Sequence, residues 1–256
     1  MCLVLLWYGA HPHADLILAG NRDEAYRRPS APPALIAGDP RIWAGRDLEA
    51  GGTWMGRNEH GLVAAITNRH GSRRAVPPDV RSRGEIVMEV LRRRTAEQAS
   101  RWVSSLPAAR YRAFNLLFGS VDAFYYYASE ENVPPRLLVP GFHALSNSTL
   151  DDVSWPKVAR SHRFAEEHAR TESEALVSAL QDFLRDRTPP DRAAPASLDE
   201  EVHGALGAVF IDTPGYGTVS SSIITLGGRL GERYYFAERE EMRSESVSHP
   251  YRLIDR

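Results

Sequence analysis

The sequence predicts an α+β fold in which antiparallel sheet layers carry helices on their outer faces. Three observations lead there. Strand-like runs and helical segments come in alternating blocks: strands, helices, strands, helices, strands. The first apolar runs are continuous rather than alternating, as in strands covered on both faces. The Pro-, Ala- and Arg-rich stretch Thr188 to Pro195 is followed by more strand-like sequence, so it reads as a loop. One domain over residues 1–256 is the simpler organisation.

The elements follow in order. Leu3-Val-Leu-Leu-Trp-Tyr8, a Gly/Pro-bearing turn and Leu16-Ile-Leu-Ala19 form a hairpin. A third strand fits Gly61 to Thr67. Further strands fit Phe114 to Phe118, Ala123 to Ala128, Gly207 to Ile211, Thr218 to Leu226 and Arg233 to Ala237. Ser82-Arg-Gly-Glu85 and Thr95-Ala-Glu-Gln98 have the pattern of capping boxes. Behind them Ile86, Val90 and Leu91, then Ala99, Trp102, Val103 and Leu106, recur at helical spacing. A second helical block follows Pro156. Its later part starts at Thr171-Glu-Ser-Glu174 and carries Leu176, Val177, Leu180, Phe183 and Leu184 on one stripe.

Composition removes several function classes. Basic and acidic residues nearly cancel, 31 against 33, which leaves no broad electrostatic footprint for nucleic acid. No apolar run approaches the roughly 18 residues of a membrane span. The run Leu3 to Tyr8 is too short, and lacks the basic flank, for a signal peptide. One cysteine permits no intrachain disulfide, so the expected setting is a reducing, cytoplasmic one.

That cysteine is Cys2, behind the initiator methionine. With the hairpin turn centred near Pro12, paired residues sum to about 24: Tyr8 faces Leu16 and Leu3 faces Asn21. Cys2 then falls beside Arg22 and Asp23. Removal of Met1, expected before a small residue, leaves Cys2 with a free α-amino group. The amine, with an ordinary pKa of about 7.7–8.0, can take the thiol proton near neutral pH. Asp23 can orient the ammonium and Arg22 can favour the thiolate. The alternative is a small buried hydrophobe at the start of a strand.

Met1-Cys-Leu-Val4, Ala19-Gly-Asn-Arg-Asp-Glu24, Gly51-Gly-Thr-Trp-Met-Gly56 and Asn58-Glu-His-Gly-Leu62 together resemble the NRDE family, also called the transport and Golgi organisation family. The resemblance continues through Thr67-Asn68, Leu145-Ser-Asn-Ser148 and Trp155-Pro-Lys157, and so covers essentially the whole chain. More distantly, the same elements are similar to the cysteine N-terminal-nucleophile hydrolases that include penicillin V acylase and bile salt hydrolase. This likeness implies a four-layer αββα sandwich of two antiparallel sheets and cleavage of non-peptide carbon–nitrogen amide bonds. It implies Cys2 as nucleophile, Asp23 as its neighbouring carboxylate, and Asn68 and Asn147 as oxyanion donors. Without the family frame, Asn68 reads as a strand-end turn residue and Asn147 as a local cap. The sequence departs from those hydrolases in its Asn21-Arg22-Asp23 order, in lacking a match for their distal arginine, and in being shorter.

Other positions have lesser claims. Lys157 is the only lysine among 31 basic residues and is expected near Asn147, meeting an anionic substrate group. Asn21, Glu24 and Trp54 are further candidates for substrate binding, with Glu24 also suited to a salt bridge and Trp54 to core packing. His11-Pro-His13 reads as an exposed turn, not a metal site. The basic run Arg92 to Arg94 suits a helix end. No metal or organic cofactor is expected. Two functions remain: an amidohydrolase acting on a small-molecule amide, or a non-catalytic protein that binds or traffics a hydrophobic ligand such as haem. The haem reading is implied by phenotypes of eukaryotic NRDE members. The oligomeric state is not readable from the sequence.

Overall fold

The structure, a computed structural model, describes residues 3–36, 38–70, 72, 79–131, 133–191, 205–244 and 250–254. The chain divides into two compact units. One holds the residues up to Arg27 and those from Pro140 to Asp255; the other holds Arg28–Val139.

The first unit opens with β1 (Leu3–His11) and β2 (Ala14–Ala25), paired antiparallel with Leu3 opposite Asn21, Leu5 opposite Ala19 and Tyr8 opposite Leu16. This is the register that the sequence predicts. A shift between Tyr8 and His11 precedes the Pro12–His13 turn. The residues of β1 from Leu3 to Tyr8 are all buried, as a continuous apolar run requires.

The second unit is a seven-stranded antiparallel sheet in sequential order. Its strands are β3 (Ser30–Ile36), β4 (Ile42–Asp47), β5 (Met55–Asn58), β6 (Val63–Asn68), β7 (Phe114–Gly119), β8 (Phe124–Ala128) and β9 (Arg136–Leu137). Helices α1 (Gly84–Leu91) and α2 (Ala96–Ser104) pack on it through Ile86, Val87, Val90, Leu91, Ala99 and Val103. Thr95 caps α2 as expected, its hydroxyl accepting the Gln98 N–H at 3.2 Å. The Ser82 box does not form. Arg83 is the N-cap of α1, without a side-chain cap, and Glu85 turns to Arg81 and Tyr111 instead. A charged and a phenolic donor outcompete a distant backbone amide for that carboxylate.

The chain then returns to the first unit with β10 (Gly141–Leu145), α3 (Pro156–Glu167), α4 (Ser173–Leu184), β11 (Asp212–Thr213), β12 (Tyr216–Leu226), β13 (Arg233–Glu238), α5 (Arg239–Arg243) and β14 (Arg252–Leu253). These strands join the hairpin in a second antiparallel sheet, ordered β10-β1-β2-β12-β13-β14 with β11 on β12. Leu176, Val177, Leu180 and Leu184 of α4 and Val158 and Phe164 of α3 share a core with Leu3, Leu5, Trp7, Ile17 and Ala19. The α+β class, the two antiparallel sheets and the helices packed on them are as expected.

Two further expectations fail. Residues 207–211 form no strand, although Ala208, Val209, Phe210 and Ile211 are buried. Their backbone makes scattered bonds instead of a ladder: the Val209 carbonyl takes Asn21 Nδ2, Phe210 N–H reaches the Asp186 carbonyl, Ile211 N–H reaches Thr218 Oγ1, and the Ile211 carbonyl accepts the Thr218 N–H. A short apolar run reports burial, not a ladder. The hairpin turn is not the exposed histidine loop expected either, for His11 is only 7% exposed and its Nε2 lies 3.2 Å from the His168 carbonyl.

Candidate active site

The last turn of the hairpin decides which way each residue of Asn21-Arg22-Asp23 points. Alternation along β2 puts Asn21 and Asp23 on the face shared with Ile17 and Ala19, where α3 and α4 pack, and Arg22 on the opposite face across from Ser220. All three are buried. Met1 and Cys2 lie outside the described residues. The first pair that the ladder describes is Leu3 with Asn21.

Asn21 is a latch. Its Nδ2 donates to the carbonyls of Leu184 and Val209, each at 2.9 Å, and its Oδ1 accepts from Ser221 Oγ. Both amide hydrogens and the oxygen are thereby engaged in holding α4 and the 207–211 segment to β2. The carboxamide, expected to contact substrate, is fully buried and makes these bonds within the protein.

Asp23 is held differently. A register shift between Thr218 and Ser220 sets Thr218 opposite Asp23, and Thr218 Oγ1 donates to Asp23 Oδ1 at 2.7 Å. The other carboxylate oxygen, Oδ2, makes no hydrogen bond among the described residues and faces Lys157 Nζ at 3.8 Å. Lys157 is the second residue of α3, after Pro156, and both its side chain and that of Asp23 are wholly buried. Lys157, expected to meet an anionic substrate group, faces a carboxylate of the protein itself. A cation at a helix N-terminus also opposes the macrodipole, so this carboxylate is what makes its position tolerable. Removing one partner of such a buried pair typically costs about 3–5 kcal/mol. Glu24, half-buried at the end of β2, accepts the N–H of Ala25 at 2.9 Å.

Asn147 follows β10 and is buried, with Ser146 Oγ donating to its Oδ1 at 3.4 Å. Asp151 ties down the loop that carries it. The Asp151 side chain accepts from the Ala144 N–H at 2.8 Å and contacts His143 Nδ1 at 2.8 Å and His162 Nε2 at 3.2 Å, while its own N–H bonds the Ala144 carbonyl. Burial pushes this carboxyl up, but the bonds from His143, His162 and the Ala144 amide outweigh it and hold it well below the usual carboxylate range.

In the second unit, Asn68 ends β6 opposite Phe114 and is half-buried. Trp54 is buried with its ring against Gly45, where a Cβ would sit 2.5 Å from the ring. That is the packing role weighed for it. The Asn58-to-Leu62 turn is a folding element: Asn58 Oδ1 accepts the N–H groups of His60 and Leu62, and its Nδ2 ties the turn to the Leu91 and Arg93 carbonyls.

Sequence reasoning missed Thr218, Ser221, Asp151 and Arg239. Arg239 stacks 4.1 Å over Tyr26 and donates to the Thr218 carbonyl at 3.0 Å, anchoring the strand that holds Asp23. The available signal was the run Ser220-Ser221-Ser222 inside an apolar strand, polar residues where alternation alone gives no reason for them.

Comparison with solved structures finds the fold in conjugated bile acid hydrolase of Clostridium perfringens, with a TM-score of 0.57 at 10% identity over 100% of this chain and 92% of that one. It also appears in a Caenorhabditis elegans N-acylethanolamine-hydrolyzing acid amidase ortholog, with a TM-score of 0.53 at 11% identity, covering 87% and 92%. Among the described residues no helix is long and apolar enough to cross a membrane. The human transport and Golgi organization protein 2 homolog is 30% identical over 97% of this chain and 96% of its own length, and the mouse homolog 31% over 88% of each. The family model for Transport and Golgi organisation 2 matches residues 1–242, and the chain belongs to that family.

Proposed function

We propose that this protein is an amidohydrolase that cleaves a non-peptide carbon–nitrogen bond, with Cys2 as nucleophile once Met1 is removed. The observation that supports the reading is the β1–β2 register, which sets Leu3 opposite Asn21, next in sequence to Arg22 and a buried Asp23. The fold shared with conjugated bile acid hydrolase supports it.

In this mechanism the α-amine of Cys2 takes the thiol proton as sulfur attacks the amide carbonyl carbon. Negative charge moves to the carbonyl oxygen, where the side-chain amide of Asn147 donates to it. Collapse expels the amine, which leaves with the proton held by the α-ammonium, and an acyl thioester remains. Water then attacks the thioester with the α-amine again as base, releasing a carboxylic acid and the thiol. Asp23 orients the α-ammonium, and Arg22 favours the thiolate. A reducing, cytoplasmic setting suits a mechanism resting on one free thiol.

The test has two parts. Intact mass must show the loss of Met1, and Cys2→Ala must abolish turnover across a panel of N-acyl and linear amides on which the unaltered protein is active. Retained Met1 in folded, active protein, or equal turnover by Cys2→Ala, overturns the reading. A haem-dependent Soret shift in both proteins, without turnover in either, replaces it with ligand binding.

A further inference from the structure

The Asp23–Lys157 pair is built in a way that plain packing does not explain. Both side chains are wholly buried, yet they stand 3.8 Å apart, and among the described residues neither Asp23 Oδ2 nor Lys157 Nζ makes a hydrogen bond. A pair that served only stability would close to hydrogen-bond distance, because an unbonded buried charge is costly. The lysine is the only one in a chain that otherwise uses arginine, and a guanidinium is the better partner for a purely structural carboxylate.

We propose that Lys157 is the charge counterweight of the catalytic carboxylate: it cancels the field of Asp23 at the chain start, so that the α-amine of Cys2 is a free base at neutral pH. This rests on the function proposed above. Asp23 alone orients the amine but also stabilises its protonated form, which cannot accept the thiol proton. Lys157 removes that bias while leaving the carboxylate oxygen in place to accept a hydrogen bond. The ammonium need not touch the amine, because its effect is Coulombic and is weakly screened between buried groups. Lys157 is therefore a positioning residue that sets the protonation state of another group.

Among the described residues, charged and titratable groups on the neighbouring elements have partners or directions of their own. Arg22 lies on the opposite face of β2. Arg239 reaches the carbonyl of Thr218 and is paired with Asp212, and Tyr251 hydrogen-bonds Ser221. On α3, Ser161 bonds the Lys157 carbonyl and carries no charge.

Because the chain has a single cysteine, [13C]cysteine labels one residue, and its Cα and Cβ shifts report the amine and thiol titrations directly. The expected result is opposite movement. In Lys157→Met the amine titrates about one pH unit higher than in the unaltered protein; in Asp23→Asn it titrates about one unit lower. In the double variant, which leaves no unpaired buried charge, it returns to the original midpoint. Circular dichroism establishes which variants fold, and the double variant and Asp23→Asn keep the test open if Lys157→Met does not. Coincident midpoints in the folded variants overturn this proposal while leaving Cys2 as nucleophile. Retained Met1, seen by intact mass, overturns both.

Discussion

Asn21 and Ser221 face each other across the β2–β12 ladder, and the serine hydroxyl donates to the asparagine carbonyl oxygen. The same carboxamide donates to the carbonyls of Leu184 and Val209, so one side chain joins two strands, the end of α4 and an irregular buried segment. Its neighbour but one is Asp23, and the latch therefore sets the position of the carboxylate.

Asn21→Ala removes the donor from two buried carbonyls, those of Leu184 and Val209, and the acceptor from the Ser221 hydroxyl. The expected loss is about 2–4 kcal/mol of unfolding free energy, measured by urea denaturation, since each orphaned buried group typically costs about 1–3 kcal/mol. A variant as stable as the unaltered protein contradicts the latch.

Gly20 has a steric reason to be glycine. A Cβ there would lie 2.3 Å from the carbonyl oxygen of Leu3, a backbone atom in the strand that leads to residue 2. Gly20→Ala should destabilise the fold by roughly 1–3 kcal/mol, as overpacking does. Melting temperature checks the cost, and the reactivity of the thiol toward iodoacetamide checks whether the chain start has moved.

Asp151 predicts an acid-sensitive contribution. Its carboxyl is held below its ordinary value of 3.8, so the folded state binds that proton less readily than the unfolded chain. The stability it confers is fully present above about pH 4 and is lost as pH falls through the lower, folded-state value. The stability gap between the unaltered protein and Asp151→Asn should be widest near pH 7 and narrow steadily from pH 4 toward pH 2, as followed by denaturant midpoints.

His11 acts at milder pH. Burial pushes its imidazole below the ordinary 6.5, the bond to the His168 carbonyl partly offsets this, and the neighbouring His13 lowers it further. Below pH 6.5 the unfolded chain takes up a proton that the folded chain resists, so His11 costs stability as pH falls through that range. Melting temperatures at pH 7 and pH 5 test this: His11→Gln should lose less between the two than the unaltered protein does. Equal losses would show that the histidine is not the sensor.

Much of this fold is legible in the residues themselves. The turn near Pro12 is enough to set Leu3 against Asn21 and Tyr8 against Leu16, because a hairpin's register follows from its turn. The stripes Ile86-Val90-Leu91 and Leu176-Val177-Leu180-Leu184 mark the buried faces of α1 and α4, because helical periodicity is local. The segment at 207–211 shows the limit, since its apolar run foretells burial but not the absence of a ladder. Nor does any local pattern tell that Asn21 closes on Leu184 and Val209, that Thr218 and Lys157 divide the two oxygens of Asp23, or that Asp151 gathers two histidines. Those pairings join residues distant in sequence. What chooses among them is the cost of leaving a charge or an amide unpartnered in a packed interior, and that cost exists only once the chain has closed around it.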